Sequence, residues 1–184
     1  PGTALRLDAN AAWEAETAIA TLRQFARYDI EFVEQPVAAD DIDALARVRR
    51  ASPIAIAADE ALTSLSAARQ LIERRAADVL IIKPMVCSGL VASRTTIEEA
   101  VAAGLRVVVT STIESGVGVA TALHLAATLP DGSPACGLAT ANLLEHDLLQ
   151  EPLSVVNGRM SLPDGPGLGV RLDEATLERF AGAD

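Results

Sequence analysis

The chain has 184 residues, half of them hydrophobic, with aromatics at only 3% and a formal net charge of -10 at pH 7. That length suits about one domain, and a core so poor in aromatics must be built from Ala, Leu, Val and Ile, residues that favour the apolar strands of a sheet covered on both faces. The acidic balance argues against nucleic acid or an anionic membrane as partner, and no apolar run approaches the roughly 18 residues of a membrane span.

No signal peptide is visible, and two cysteines make no disulfide framework. Cys87 and Cys136 are expected to be reduced thiols in a cytoplasmic protein. The first residue is Pro1, and a strand begins within a few residues, which is how a piece of a larger protein reads.

Short apolar runs then alternate with Ala-rich helical stretches. Residues 4–8 (ALRLD) read as a strand and 13–28 as a helix; 30–34 (IEFVE) form the next strand and 39–50 the next helix. Pro53 ends that helix. Residues 54–59 (IAIAAD) are a third strand, and a helix over 64–75 follows with Ser64 as its N-cap. The fourth strand is 78–83 (DVLIIK), and its helix, 90–103, closes on Gly104 as a C′ residue. Residues 106–111 (RVVVTS) are the fifth strand, 117–129 its helix, and 135–138 a short, weaker sixth strand. From 149 the chain turns rich in Pro and Gly, a tail of irregular strands with a last short helix over 174–180.

Strict alternation implies parallel strands joined by right-handed crossovers. The regular repeat, about 25 residues, favours a closed barrel over a doubly wound open sheet. The turn after the first strand, Ala9-Asn10-Ala11-Ala12, also lacks the glycines of a phosphate-binding turn.

The last position of each strand carries the chemistry. Asp8, Glu34, Asp59 and Lys83 stand there, following one another at 26, 25 and 24 residues. In a barrel the C-terminal strand ends meet at one mouth, so four ionisable groups at one register converge. Taken singly, an acid ending a strand is more often the N-cap of the next helix. Three in successive units, followed by a lysine, are harder to explain as caps. Three carboxylates in one mouth repel unless a cation sits among them, and Mg²⁺ prefers such oxygens. A lysine beside that cation loses its charge more readily and can act as a base or a positive stabiliser.

The set D-A-N (8–10), V-E-Q-P (33–36), A-D-E (58–60) and I-K-P (82–84) resembles the muconate-lactonizing subgroup of the enolase superfamily over nearly the whole chain. That resemblance implies part of a modified TIM barrel. It implies Asp8, Glu34 and Asp59 as ligands of Mg²⁺ (with Mn²⁺ as a substitute), Lys83 as a catalytic lysine, and Asn10 and Glu60 as supporting residues. Within the subgroup, Thr110–Gly116 (TSTIESG), the G-L-A-T stretch 137–140, Asp147-Leu148-Leu149 and Pro166–Val170 (PGLGV) look most like o-succinylbenzoate synthases. Dipeptide epimerases and muconate cycloisomerases carry acids at the last strand, and 135–141 holds none.

The resemblance then implies a Mg²⁺-dependent lyase that dehydrates 2-succinyl-6-hydroxy-2,4-cyclohexadiene-1-carboxylate to o-succinylbenzoate in menaquinone synthesis, by α-proton abstraction through an enediolate. Ser88, Gly89, Ser111, Thr112 and Glu114 are candidates to hold the substrate, a small carboxylate, with ordinary loop and capping roles as the alternative. His124 is read as a packed or surface residue, His146 as a solvated loop residue and Trp13 as core.

The pattern departs from the family in one respect. The second lysine, in a Lys-x-Lys motif, belongs upstream of Asp8, as do the first two barrel strands and an N-terminal capping domain. Residues 1–184 therefore read as a single partial barrel of about six strand–helix units. An N-acylamino acid racemase, another muconate-cycloisomerase-like enzyme and a truncated, non-catalytic barrel fragment remain open alternatives, and so does a homo-oligomer.

Overall fold

A computed structural model describes residues 4–182; residues 1–3 and 183–184, the outermost of the expected domain and Pro1 among them, lie outside it. Five strands alternate with five helices: β1 (Leu5–Asp8), α1 (Ala15–Phe25), β2 (Ile30–Glu34), α2 (Ile42–Ala51), β3 (Ile56–Ala58), α3 (Leu65–Glu73), β4 (Val79–Ile82), α4 (Gly89–Ala102), β5 (Arg106–Val109) and α5 (Gly116–Ala126). A short hairpin, β6 (Val155–Val156) and β7 (Arg159–Met160), and a last helix, α6 (Glu174–Ala181), follow in the tail.

The sheet runs β1-β2-β3-β4-β5, with every neighbouring pair parallel. Spatial order equals chain order throughout. A doubly wound sheet reverses its order at a switch point, and no reversal occurs here. The result is a curled half-barrel.

Local chemistry sets the element ends. Asp41 and Ser64 cap α2 and α3 by accepting the amides of Ala44 (2.8 Å) and Ala67 (3.1 Å). Gly104, at φ +80°, ends α4 while its amide and that of Leu105 return to the carbonyls of Val101 and Ala100. The α5 N-terminus is capped from the tail: Asp147 Oδ1 accepts the Gly116 amide at 2.7 Å.

The core has two layers. Between sheet and helices lie Val33, Ile56, Leu80, Ile82 and Val109 with Leu22, Leu45, Leu71 and Ala100. On the other, concave face a second cluster is formed by Phe32, Ala57, Val79, Ile81 and Val108. Successive strand residues alternate between these two faces.

The expected sixth strand is corrected to a single parallel bridge between Thr110 and Gly137. Gly137 donates to Val109 O and accepts from the Ser111 amide, each at 3.0 Å. Toward the N-terminus the next residue facing β5 is Ala135, and its carbonyl accepts from Arg6 Nη1 at 2.7 Å instead of from the ladder. Arg6 also pairs with Glu31 at 2.8 Å and lies 4.8 Å over the Phe32 ring. One guanidinium thus spans the concave face from β1 to the far edge. Among the described residues no helix is long and apolar enough to cross a membrane, and both cysteines are free thiols.

Candidate functional site

The alternation that puts Arg6, Phe32, Ala57 and Ile81 on the concave face also puts the residues two positions on, Asp8, Glu34, Asp59 and Lys83, on that side at the strand ends. Asp8 and Glu34 are direct register partners, and Glu34 pairs with Ala57, two residues before Asp59. Asp59 and Lys83 each stand one residue beyond their strands.

Asp59 is buried, and its Oδ2 accepts from the Lys83 ammonium. Glu34 hydrogen-bonds Asp59, and its carboxyl is pushed up to about 8. Burial is the main cause, followed by the Asp59 bond and the negative charges of Asp59 and Asp8, with Lys83 opposing. The carboxyl of Glu60 is also raised, first by burial, although its side chain is exposed. Asp8 is turned toward its own loop, where Oδ1 accepts the Asn10 amide at 2.8 Å. That loop carries two non-glycine residues at positive φ, Asn10 (+46°) and Ala11 (+57°).

The structure therefore brings Glu34, Asp59 and Lys83 together and leaves Asp8 beside them. Among the described residues no three acid, histidine or cysteine side chains are grouped closely enough to hold a metal ion. The donor chemistry nonetheless fits a hard dication: carboxylates stand on three adjacent strand ends, burial and then the neighbouring acids raise the Glu34 carboxyl, and a single ammonium does not balance them.

The candidate substrate residues divide. Ser88 and Gly89 are exposed at the start of α4, with Ser88 left-handed at φ +63° and Gly89 at +86°. Ser111 is buried and bonded to Thr140 Oγ1 at 2.7 Å and to Gly137 O. Glu114 is buried too, and its Oε1 accepts the Thr112 amide at 2.9 Å. Ser111 and Glu114 thus hold the loop together, while Thr112 is half-buried within it.

His124 packs against the tail, Nε2 lying 3.1 Å from Leu168 O. His146 sits near Phe180, with ring centroids 5.9 Å apart. Trp13 packs on the main core, as expected. Gln35, on which no expectation fell, is fully buried between the strand ends. The available signal was a polar residue held between the strand-final Glu34 and Pro36.

Residues 1–176 match the model of the family described as "Enolase C-terminal domain-like". The o-succinylbenzoate synthase of Thermobifida fusca is 40% identical over 158 residues, covering 86% of this chain and 48% of that protein. The muconate lactonizing enzyme of Pseudomonas fluorescens, solved with muconolactone, superposes with a TM-score of 0.90 at 30% identity over 97% of this chain and 48% of its own. The N-succinyl Arg/Lys racemase of Bacillus cereus does so with 0.88 at 32% identity over 96% and 47%. The chain spans about half the length of the relatives it matches. On this likeness in sequence and fold, the chain belongs to the enolase C-terminal domain-like family, in the muconate-lactonizing subgroup of the enolase superfamily.

Proposed function

We propose that the protein of which these residues form the barrel part is a Mg²⁺-dependent lyase of the o-succinylbenzoate synthase type, acting on a small carboxylate. The observation that carries the reading is the contact of Lys83 with Asp59 beside Glu34 at the concave mouth. The 40% identity to an o-succinylbenzoate synthase and the lack of an acid in 135–141 support the choice within the subgroup.

Asp8, Glu34 and Asp59 would hold the cation, with Asn10 and Glu60 supporting them. When bound, Mg²⁺ supplies positive charge for the substrate carboxylate and for the negative charge that grows there as the α-proton leaves. The Lys83 ammonium faces the same charge and stabilises it. Proton removal is assigned to a second lysine on a strand preceding β1, by family resemblance. The proton leaves the carbon beside the carboxylate and the ring hydroxyl departs with its electron pair, so that one water is lost and the ring becomes aromatic. Ser88 and Gly89 are the exposed loop groups available to the succinyl end.

The test is turnover of 2-succinyl-6-hydroxy-2,4-cyclohexadiene-1-carboxylate by the full-length protein. Turnover should stop with a chelator, return with Mg²⁺ or Mn²⁺, and fall about 10²- to 10³-fold in Lys83→Ala. Full turnover in that variant would sink the role of Lys83. A second reading, N-acylamino acid racemisation, is favoured by the likeness to the N-succinyl Arg/Lys racemase. Exchange of the α-proton of an N-succinyl amino acid with deuterium, without dehydration of the cyclohexadiene, would select it.

A further inference from the structure

We infer that Gln35 is a positioning residue whose buried side-chain amide locks the backbone of Asp59, and so sets where that carboxylate stands against Glu34 and Lys83 to receive a divalent cation. The inference rests on the reading of Asp59 as a cation ligand.

Gln35 has no exposed surface. Its Oε1 accepts two amides of the β3–α3 turn, Asp59 N at 3.1 Å and Ala61 N at 3.2 Å. Its Nε2 donates to Val37 O at 2.9 Å. Flipping the amide would set an NH₂ against two N–H donors, so the network itself decides which atom is oxygen. The main chain of Gln35 is engaged as well: its amide donates to Ala57 O at 2.9 Å, and its carbonyl accepts the Ala11 amide at 2.8 Å. One residue therefore ties the loops after β1, β2 and β3 together.

The backbone departs from its usual range to do this. Gln35 adopts φ +35°, and Ala11, its partner, φ +57°. Neither is glycine, so the surrounding bonds must hold both in sparsely populated conformations, as happens where geometry matters more than local ease. The chemistry also calls for glutamine. The site needs an acceptor for two N–H groups and a donor for one carbonyl, with no further negative charge between Glu34 and Asp59. Groups that fix the orientation of a metal-ligating side chain act on affinity without touching the metal.

The test compares full-length wild type with Gln35→Met, similar in length but without the amide, and with Gln35→Asn, which keeps the amide but cannot reach. Mn²⁺ is the probe, its free concentration read by electron paramagnetic resonance, alongside hydrogen exchange resolved to single amides. Both variants should raise the Kd for Mn²⁺ by about 10- to 100-fold. Both should speed exchange at Asp59 and Ala61 while leaving Leu80 and Val108 protected.

A folded Gln35→Met protein with wild-type Kd and protected Asp59 and Ala61 amides would overturn the inference. If the variants do not fold, the wild type decides, since rapid exchange at Asp59 and Ala61 there would overturn it too. A wild type that takes up no Mn²⁺ removes the cation reading, and the exchange data then decide the role of Gln35 alone.

Discussion

Acidification should stabilise the metal-free protein through Glu34, and Glu34→Gln isolates that effect. The Glu34 carboxyl rises from 4.5 to about 8, through burial first and then through Asp59 and Asp8. A carboxyl raised in the folded state keeps a proton that the unfolded chain gives up. Its contribution is full below about 4.5 and is lost as the pH climbs through about 8. At about 1.36 kcal/mol per pH unit, that interval sets a ceiling of about 5 kcal/mol. Glu34 is only half-buried and Lys83 opposes the shift, so with solvent screening we expect on the order of 2 kcal/mol. The assay is denaturant unfolding of wild type and Glu34→Gln, both full-length and in chelator, from pH 5 to 8.5. Wild type should lose that amount relative to the variant, most of it between pH 5 and 8. Excess Mg²⁺ should cancel the loss at the alkaline end, because the ionised carboxylate is the form a cation binds. A wild-type-minus-variant difference that stays flat across the range would refute the placement of Glu34 in a crowded, half-buried acid cluster.

Two further substitutions probe the frame around the site. A Cβ at Gly118 would stand 1.9 Å from Glu114 Oε2 and 2.6 Å from its Cδ. Glu114 is only 8% exposed and has little room to retreat, so Gly118→Ala should cost about 1–3 kcal/mol in thermal unfolding. The cost should shrink in a Glu114→Ala background, and equal costs in both backgrounds would count against the contact. Phe32, 1% exposed, is the largest side chain of the concave cluster beneath the mouth. Phe32→Ala should destabilise by about 3–5 kcal/mol, and a loss under 1 kcal/mol would show that the concave face is not packed.

Much of this arrangement was legible because the strand period of two does the work. A strand whose inner face carries Phe32 must also turn Glu34 inward, and Ala57 carries Asp59 the same way. Four ionisable residues at the same point of successive units could therefore be read as one cluster without knowing any contact. Helix ends were legible for the same local reason: Ser64 caps α3 and Gly104 closes α4 where their chemistry requires it. The sixth strand was not legible, because its length depends on Arg6, 129 residues away, drawing off the Ala135 carbonyl. The β6–β7 hairpin turns on Asn157-Gly158, at φ +51° and +73°, a pair suited to a two-residue turn. Gln35 was hidden for a different reason. Its partners lie on two other loops, and no spacing rule links a glutamine to the amide of a residue one unit on.

Asp8 shows where the two readings of a strand-final acid meet. As a turn residue it should bond the amide two positions on, and it does so through Oδ1 to Asn10. As a ligand it should stand near the other carboxylates, and its charge does help raise both Glu34 and Glu60. The readings compete only if one oxygen must serve both. A carboxylate has two oxygens and about four lone-pair sites, so a turn bond on Oδ1 leaves Oδ2 for other partners. Ligating carboxylates are commonly held by just such a bond from behind. The Asn10 amide, kept in place by the left-handed Asn10–Ala11 turn and by the Ala11 bond to Gln35 O, can therefore be part of what aims Asp8. On that view the turn bond and the ligand are one device, and the bond of Asp8 to its own loop is no argument against a cation at this mouth.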